Sequence, residues 1–104
     1  MAVRLQRAAL ARLDEIYLFT RDRWGAEQAQ RYSDGLFAAL DGIVDRSTLS
    51  RPIPAEYGVS GFYFRYQRHF IYWQWLSTGD IGVVTILHEQ MHQAERLRDD
   101  LGGV

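Results

Sequence analysis

Two short stretches of this sequence hold the residue types from which an acid–base centre, a metal site or a charged binding surface is made. The first is His88-Glu89-Gln90-Met91-His92, two histidines four residues apart around a glutamate. On a helix this spacing turns both imidazoles to one face for zinc, with the carboxylate as general base. A catalytic zinc also takes a third protein ligand. The acids that follow, Glu95, Asp99 and Asp100, all fall on one short C-terminal segment. The motif also opens where a β-branched run ends, so its first residue is strand-like. No metal and no cofactor is therefore expected, and His88 reads as a strand-end histidine bonded to backbone. The second stretch holds Arg65, Arg68 and His69 among aromatic residues. With His88 and Glu89 they could compose an acid–base site for RNA cleavage by a 2′-hydroxyl, which needs a base, an acid and cations for the phosphate. The alternative is that the same polar residues line a protein-binding surface.

The cations themselves narrow the chemistry. All 12 basic residues are Arg and none is Lys. Guanidinium binds carboxylates and phosphates through a planar fork, stacks on aromatics, and does not exchange protons near neutral pH. The net charge is −1, so no overall basic field points to nucleic acid, and no direct nucleic-acid binding is expected. Without cysteine there is neither disulfide nor thiol chemistry. The chain lacks an apolar run of about 18 residues and a signal-peptide h-region, so no membrane association is expected and a cytoplasmic location is. A chain of 104 residues, 47% hydrophobic and 24% charged, is expected to form one globular domain over residues 1–104. A core of that size is modest, and a partner that covers apolar surface adds useful stability.

The elements that must position these residues follow from periodicity. Val3 and Leu5 alternate with Arg4 and Gln6, predicting a brief edge strand. Leu10, Leu13, Ile16, Tyr17, Thr20 and Trp24 then recur at helical spacing, with Gly25 as a left-handed cap. Trp24 is expected to plug the corner. Ala29, Tyr32, Leu36, Leu40 and Ile43 mark a second helix, widened by Phe37 and Val44. The short link predicts an antiparallel helical hairpin. Gly35 and Gly42, inside the second helix, cost about 1 kcal/mol each relative to Ala and predict close approach of another segment. Asp45 to Gly58 reads as a loop. Three strands follow, over Phe62–Tyr66, Arg68–Leu76 and Ile81–Leu87, with short gaps that predict an antiparallel meander. Gln90 to Leu101 reads as a short C-terminal helix whose Arg96-to-Asp100 run is an exposed face. The expected class is α+β: N-terminal strand, two-helix hairpin, three-stranded antiparallel meander and C-terminal helix. So many aromatics cannot all face one side of a small sheet. The second apolar face is covered either by a partner or by the C-terminal helix.

Within this frame the residues resemble a known family. Ala8 to Tyr17 reads Ala-Ala-Leu-Ala-Arg-Leu-Asp-Glu-Ile-Tyr, and Trp24-Gly25 precedes Ala29 and Tyr32. This is similar to the helix and the Trp-Gly-x-x-x-Ala-x-x-Tyr hairpin of ParE-type toxins in the RelE/ParE superfamily. His69-Phe70-Ile71-Tyr72-Trp73 and Val83-Val84-Thr85-Ile86-Leu87-His88 resemble the family's His-x-Ile-Tyr strand and its Ile-Leu-His ending. The resemblance runs from about Leu5 to about Leu97. It departs at Ser60, where the family usually has Arg, and at His92, where it often has Asp.

The resemblance implies a toxin of a type II toxin–antitoxin system that inhibits DNA gyrase without catalysis. A ParD-like antitoxin that folds on the toxin would neutralise it, giving a hetero-oligomer. Target contacts are then expected at Arg65, Arg68, His69, His88, Glu89 and His92, and antitoxin contacts at Ile16, Tyr17, Phe37 and Trp73. Two alternatives remain: a RelE-like ribosome-dependent mRNA interferase, and a degenerate member that only binds antitoxin. RelE-like enzymes use Lys and Arg on the sheet and a Tyr near the C-terminus. This chain has no Lys and no Tyr after Tyr72.

Overall fold

Residues Val3–Leu5 form the first strand, β1, and the chain enters helix α1, Arg7–Trp24, within two residues. The computed structural model describes residues 2–102. Gly25 separates α1 from helix α2, Ala26–Val44. Its φ of 96° lies in the region that favours glycine, with ψ of 164° in place of the expected left-handed helical value. Its N–H closes α1 on Arg21 O at 2.8 Å, and its carbonyl accepts the Ala29 N–H of α2 at 3.1 Å. One residue thus stops one helix and starts the next.

The loop expected from Asp45 to Gly58 contains two elements that periodicity missed. Arg51–Pro52 forms a two-residue strand, β2, and Ala55–Tyr57 a single 3-10 turn. Both are too short for a repeating apolar pattern, and Pro52 sits on an edge strand, where its missing N–H is tolerated. Strands β3, Phe62–Tyr66, β4, His69–Trp75, and β5, Ile81–His88, follow as an antiparallel meander. Helix α3, Gln93–Gly102, begins three residues later than expected, because residues 89–92 form a turn.

The strands make one sheet in the order β1-β5-β4-β3-β2. It is mixed rather than fully antiparallel, since β1 runs parallel to β5, pairing Val3 with Ile81 and Leu5 with Val83. The intervening hairpin and meander bring β1 back beside the last strand.

The sheet is covered on both faces. Leu36, Leu40 and Ile43 of α2 and Ala9 of α1 pack against Ile71, Trp73, Val83 and Ile86. On the opposite face Leu97 of α3 and Ile53 pack against Tyr72, Val84 and Leu87. The C-terminal helix therefore covers the second aromatic face. β5, flanked by packing on both sides, is buried from Ile81 to Leu87, which explains its near-continuous apolar sequence. A bulge opposite Tyr72 and Trp73 shifts the register, so that Val84 joins the α3 face beside Thr85.

Gly35 and Gly42 permit the expected close approaches. A side chain at Gly35 would collide with the Tyr66 hydroxyl, and one at Gly42 with Thr48 and Ser47. No helix among the described residues is long and apolar enough to cross a membrane.

Candidate functional site

Three chain segments meet at one end of the sheet. β3 turns into β4 through Gln67 and Arg68, and Gln67 adopts a φ of 54° to close the turn. His69, the first residue of β4, pairs with His88, the last of β5. Just beyond the β5 pairing, Glu89 N–H donates to Arg68 O at 2.8 Å. The Glu89 carboxylate accepts from the Arg65 guanidinium and lies 3.5 Å from Arg68 Nη1. Arg65 Nε also donates to Gln67 O at 2.8 Å, which fixes its guanidinium against the turn.

Helix α2 supplies the fourth component. The Tyr32 hydroxyl lies 2.5 Å from His69 Nδ1. Tyr66 in turn donates its hydroxyl to the Tyr32 carbonyl at 3.2 Å and stands edge-on to its ring. His69 and His88 are also edge-on, with ring centroids 5.2 Å apart. Burial pushes the His69 pKa down to about 4, helped by the neighbouring His88 and opposed by Glu89. Burial likewise pushes the Tyr32 phenol above its ordinary value, and Tyr66 adds to the effect. At neutral pH, therefore, an uncharged imidazole faces a protonated phenol. The phenol is the stronger acid of the two and the imidazole nitrogen the better acceptor, so Tyr32 donates to His69 Nδ1. The His69 hydrogen then resides on Nε2. His88 has the same tautomer for a different reason, because its Nδ1 accepts the Gln90 backbone N–H at 3.1 Å.

Of these groups Tyr32, Gln67, His69 and His88 floor a cleft of about 680 Å³ between α1, the start of α2 and the sheet end. Ile16, Phe19, Trp24 and Met91 form its apolar walls, and Glu15, Gln28 and Arg68 lie on its lining. Trp24 is 68% exposed and Phe19 60% exposed, so the expected corner plug is instead an open wall.

The sequence-predicted residues separate into groups. Arg65, Arg68, His69, His88 and Glu89 are brought together at the sheet end. His92 is exposed in the turn before α3 and does not line the cleft. The His-Glu-x-x-His stretch is strand end and turn rather than helix, so its two imidazoles do not share a helix face. Ile16 lines the cleft and Tyr17 is half-buried on α1, whereas Phe37 is 42% exposed on α2. Trp73 is 5% exposed, stacked on Phe62, and donates its indole N–H to Ser50 at 3.0 Å. It is a core residue of the free chain and offers no partner surface. Sequence reasoning passed over Tyr32 as part of an apolar helical stripe. The signal for its role was Gly35 one turn later, which admits Tyr66 and sets the Tyr32 carbonyl to receive it.

Comparison with known proteins agrees with this architecture. Residues 3–93 match the family described as ParE toxin of type II toxin-antitoxin system, parDE. The chain is 32% identical over 91 residues to Toxin ParE1 of Mycobacterium tuberculosis, in two strains, covering 84% of this chain and 88% of that protein. It is 39% identical over 49 residues to Toxin ParE1 of Caulobacter vibrioides, covering 47% of this chain and 51% of that protein.

Proposed function

This chain belongs to the ParE toxin family of type II toxin–antitoxin systems, and from that premise we propose that it is a cytoplasmic, non-catalytic inhibitor of DNA gyrase held in check by a ParD-like antitoxin. The observation that carries the non-catalytic part is the tuning of the cleft floor. A general acid or base works best with a pKa near the operating pH. His69 is displaced well below that range and Tyr32 above its ordinary value. Glu89 is engaged by Arg65 and Arg68. These features support a reading in which the polar residues at the sheet end bind rather than transfer protons. Arg65, Arg68, His69, His88 and Glu89, with His92 beside them on the same end, form the target-facing surface in this reading. The antitoxin covers the apolar surface of the hairpin, including Ile16, Tyr17 and Phe37.

The test is a gyrase supercoiling assay with purified toxin, with and without the protein encoded beside it. Inhibition relieved by the neighbour supports the reading. Absence of inhibition by a toxin that still arrests growth removes gyrase as the target. Cleavage of mRNA on ribosomes under the same conditions would establish the mRNA interferase in its place. A chain that binds its neighbour but causes no growth arrest would be a degenerate member.

A further inference from the structure

The cleft floor presents hydrogen-bond donors on Arg68, His69 and His88. His69 Nδ1 and His88 Nδ1 are both occupied as acceptors, by Tyr32 and by the Gln90 backbone. The Gln90 contact leaves the His88 hydrogen on Nε2, and donation by the more acidic Tyr32 hydroxyl leaves the His69 hydrogen there as well. Among the described residues neither Nε2 has a hydrogen-bond partner, and neither is among buried polar atoms lacking one, so both reach solvent. Arg68, 74% exposed on the same lining, touches Glu89 only at 3.5 Å and keeps guanidinium donors free. The one carboxylate on the described lining is Glu15, and it is engaged by Arg12 at 3.5 Å. Above this donor set stand the apolar walls of Ile16, Phe19, Trp24 and Met91.

We propose that the cleft is a seat for a carboxylate carried on an apolar segment, and that its occupant is an Asp or Glu side chain of the antitoxin flanked by large apolar residues. This rests on the antitoxin reading given above. The seat deepens that reading by naming the chemistry that the partner must present. Two imidazole N–H groups and a guanidinium on one cleft lining suit an anion. A basic or apolar side chain at the same point would leave the donors unsatisfied in a partly desolvated site, and an amide oxygen would accept from them without matching the guanidinium charge. The apolar walls bury the flanking residues, and the anion fixes their register, in the way that a few placed polar groups orient a mostly apolar ligand. Because Tyr32 and the Gln90 backbone fix both tautomers, the donors are set before the partner arrives.

The seat is tested first on the full chain with two probes of equal shape, 3-phenylpropionate and 3-phenylpropanamide, following the imidazole nitrogen and proton resonances by NMR. The expected result is that the acid shifts the Nε2–H signals of His69 and His88 and binds on the order of tenfold more tightly than the amide. Equal affinity of the two probes, or shifts confined to other parts of the chain, overturns the seat. Arg68→Ala, which alters an exposed side chain, weakens the acid and leaves the amide unchanged; no such difference also overturns it. The neighbour-encoded protein is then added. Displacement of the acid supports the assigned occupant. A stable complex that leaves the acid bound overturns the occupant, whereas displacement by gyrase is expected of the target-facing residues that the seat shares. If the neighbour forms no complex, the antitoxin reading itself fails, and the probe titrations still report on the seat.

Discussion

Asp100 on α3 places its carboxylate 3.2 Å from the guanidinium of Arg12 on α1, joining helices that cover opposite faces of the sheet. The same carboxylate accepts the hydroxyl of Thr85, fully buried in β5, at 2.7 Å. Since β1 pairs with β5 only as far as Val83, this bridge lies beyond the end of the β1 pairing. The side chains of Arg12 and Asp100 are 18% and 15% exposed, so solvent screens the pair only in part. Asp100→Ala strands a partly buried guanidinium and a buried hydroxyl at once. The expected loss is about 1–3 kcal/mol in denaturant unfolding. In the Arg12→Ala background the same change is expected to cost less, because the cation is already gone. Equal losses in both backgrounds would show that the two do not interact.

The register of α2 against β3 depends on the absence of a side chain at Gly35. Gly35→Ala forces the Tyr66 ring away and breaks its bond to the Tyr32 carbonyl. Overpacking of this kind costs about 1–3 kcal/mol. Tyr66→Phe removes the oxygen that collides, so the double variant is expected to recover part of the loss. Thermal unfolding of the four proteins decides the point, and a double variant no better than Gly35→Ala alone contradicts it.

His69 sets a pH dependence of stability. Its folded pKa of about 4 lies below the unfolded value of 6.5, so between these values the unfolded chain binds more protons than the folded one. Stability therefore falls as pH drops from about 6.5 towards 4, by an amount on the order of 2–3 kcal/mol from this residue. His69→Gln cannot titrate and is expected to flatten the slope over that window. A His69 ring-proton signal that titrates near pH 6.5 in the folded wild type would remove the basis of this expectation.

Exposure separates residues that hold the fold from residues available to a partner. Leu97 of α3 is fully buried against the sheet, and Leu97→Ala is expected to cost about 2–5 kcal/mol and to loosen the helix from Tyr72 and Leu87. Trp24 is largely exposed on the cleft wall, and Trp24→Ala is expected to change stability by less than about 0.5 kcal/mol. If the antitoxin occupies the cleft, the same substitution weakens the complex by about 1 kcal/mol or more, as for other aromatic anchors. Isothermal titration of the neighbour-encoded protein against both variants checks this, and an unchanged affinity for Trp24→Ala places the partner elsewhere.

The sequence by itself determined the longer elements and their order, since those depend on local periodicity. The stripe from Ala29 to Ile43 and the β-branched run from Ile81 to Leu87 each declare their own conformation. Two internal glycines announced tight contacts without naming the other party. Five polar residues of the sheet end were also legible, because a two-residue turn at Gln67 and Arg68 sets His69 opposite His88 once the meander is drawn. What only the tertiary structure decided lies across long separations. The return of β1 to pair in parallel with β5, the seating of α3 over the second aromatic face, and the burial of Trp73 but not Trp24 depend on which surfaces meet. The Tyr32–His69 bond is of the same kind: its partners are 37 residues apart on a helix and a strand, and no local pattern encodes their distance. A tautomer, and with it the direction in which the cleft offers its hydrogens, is fixed only when both partners are in place.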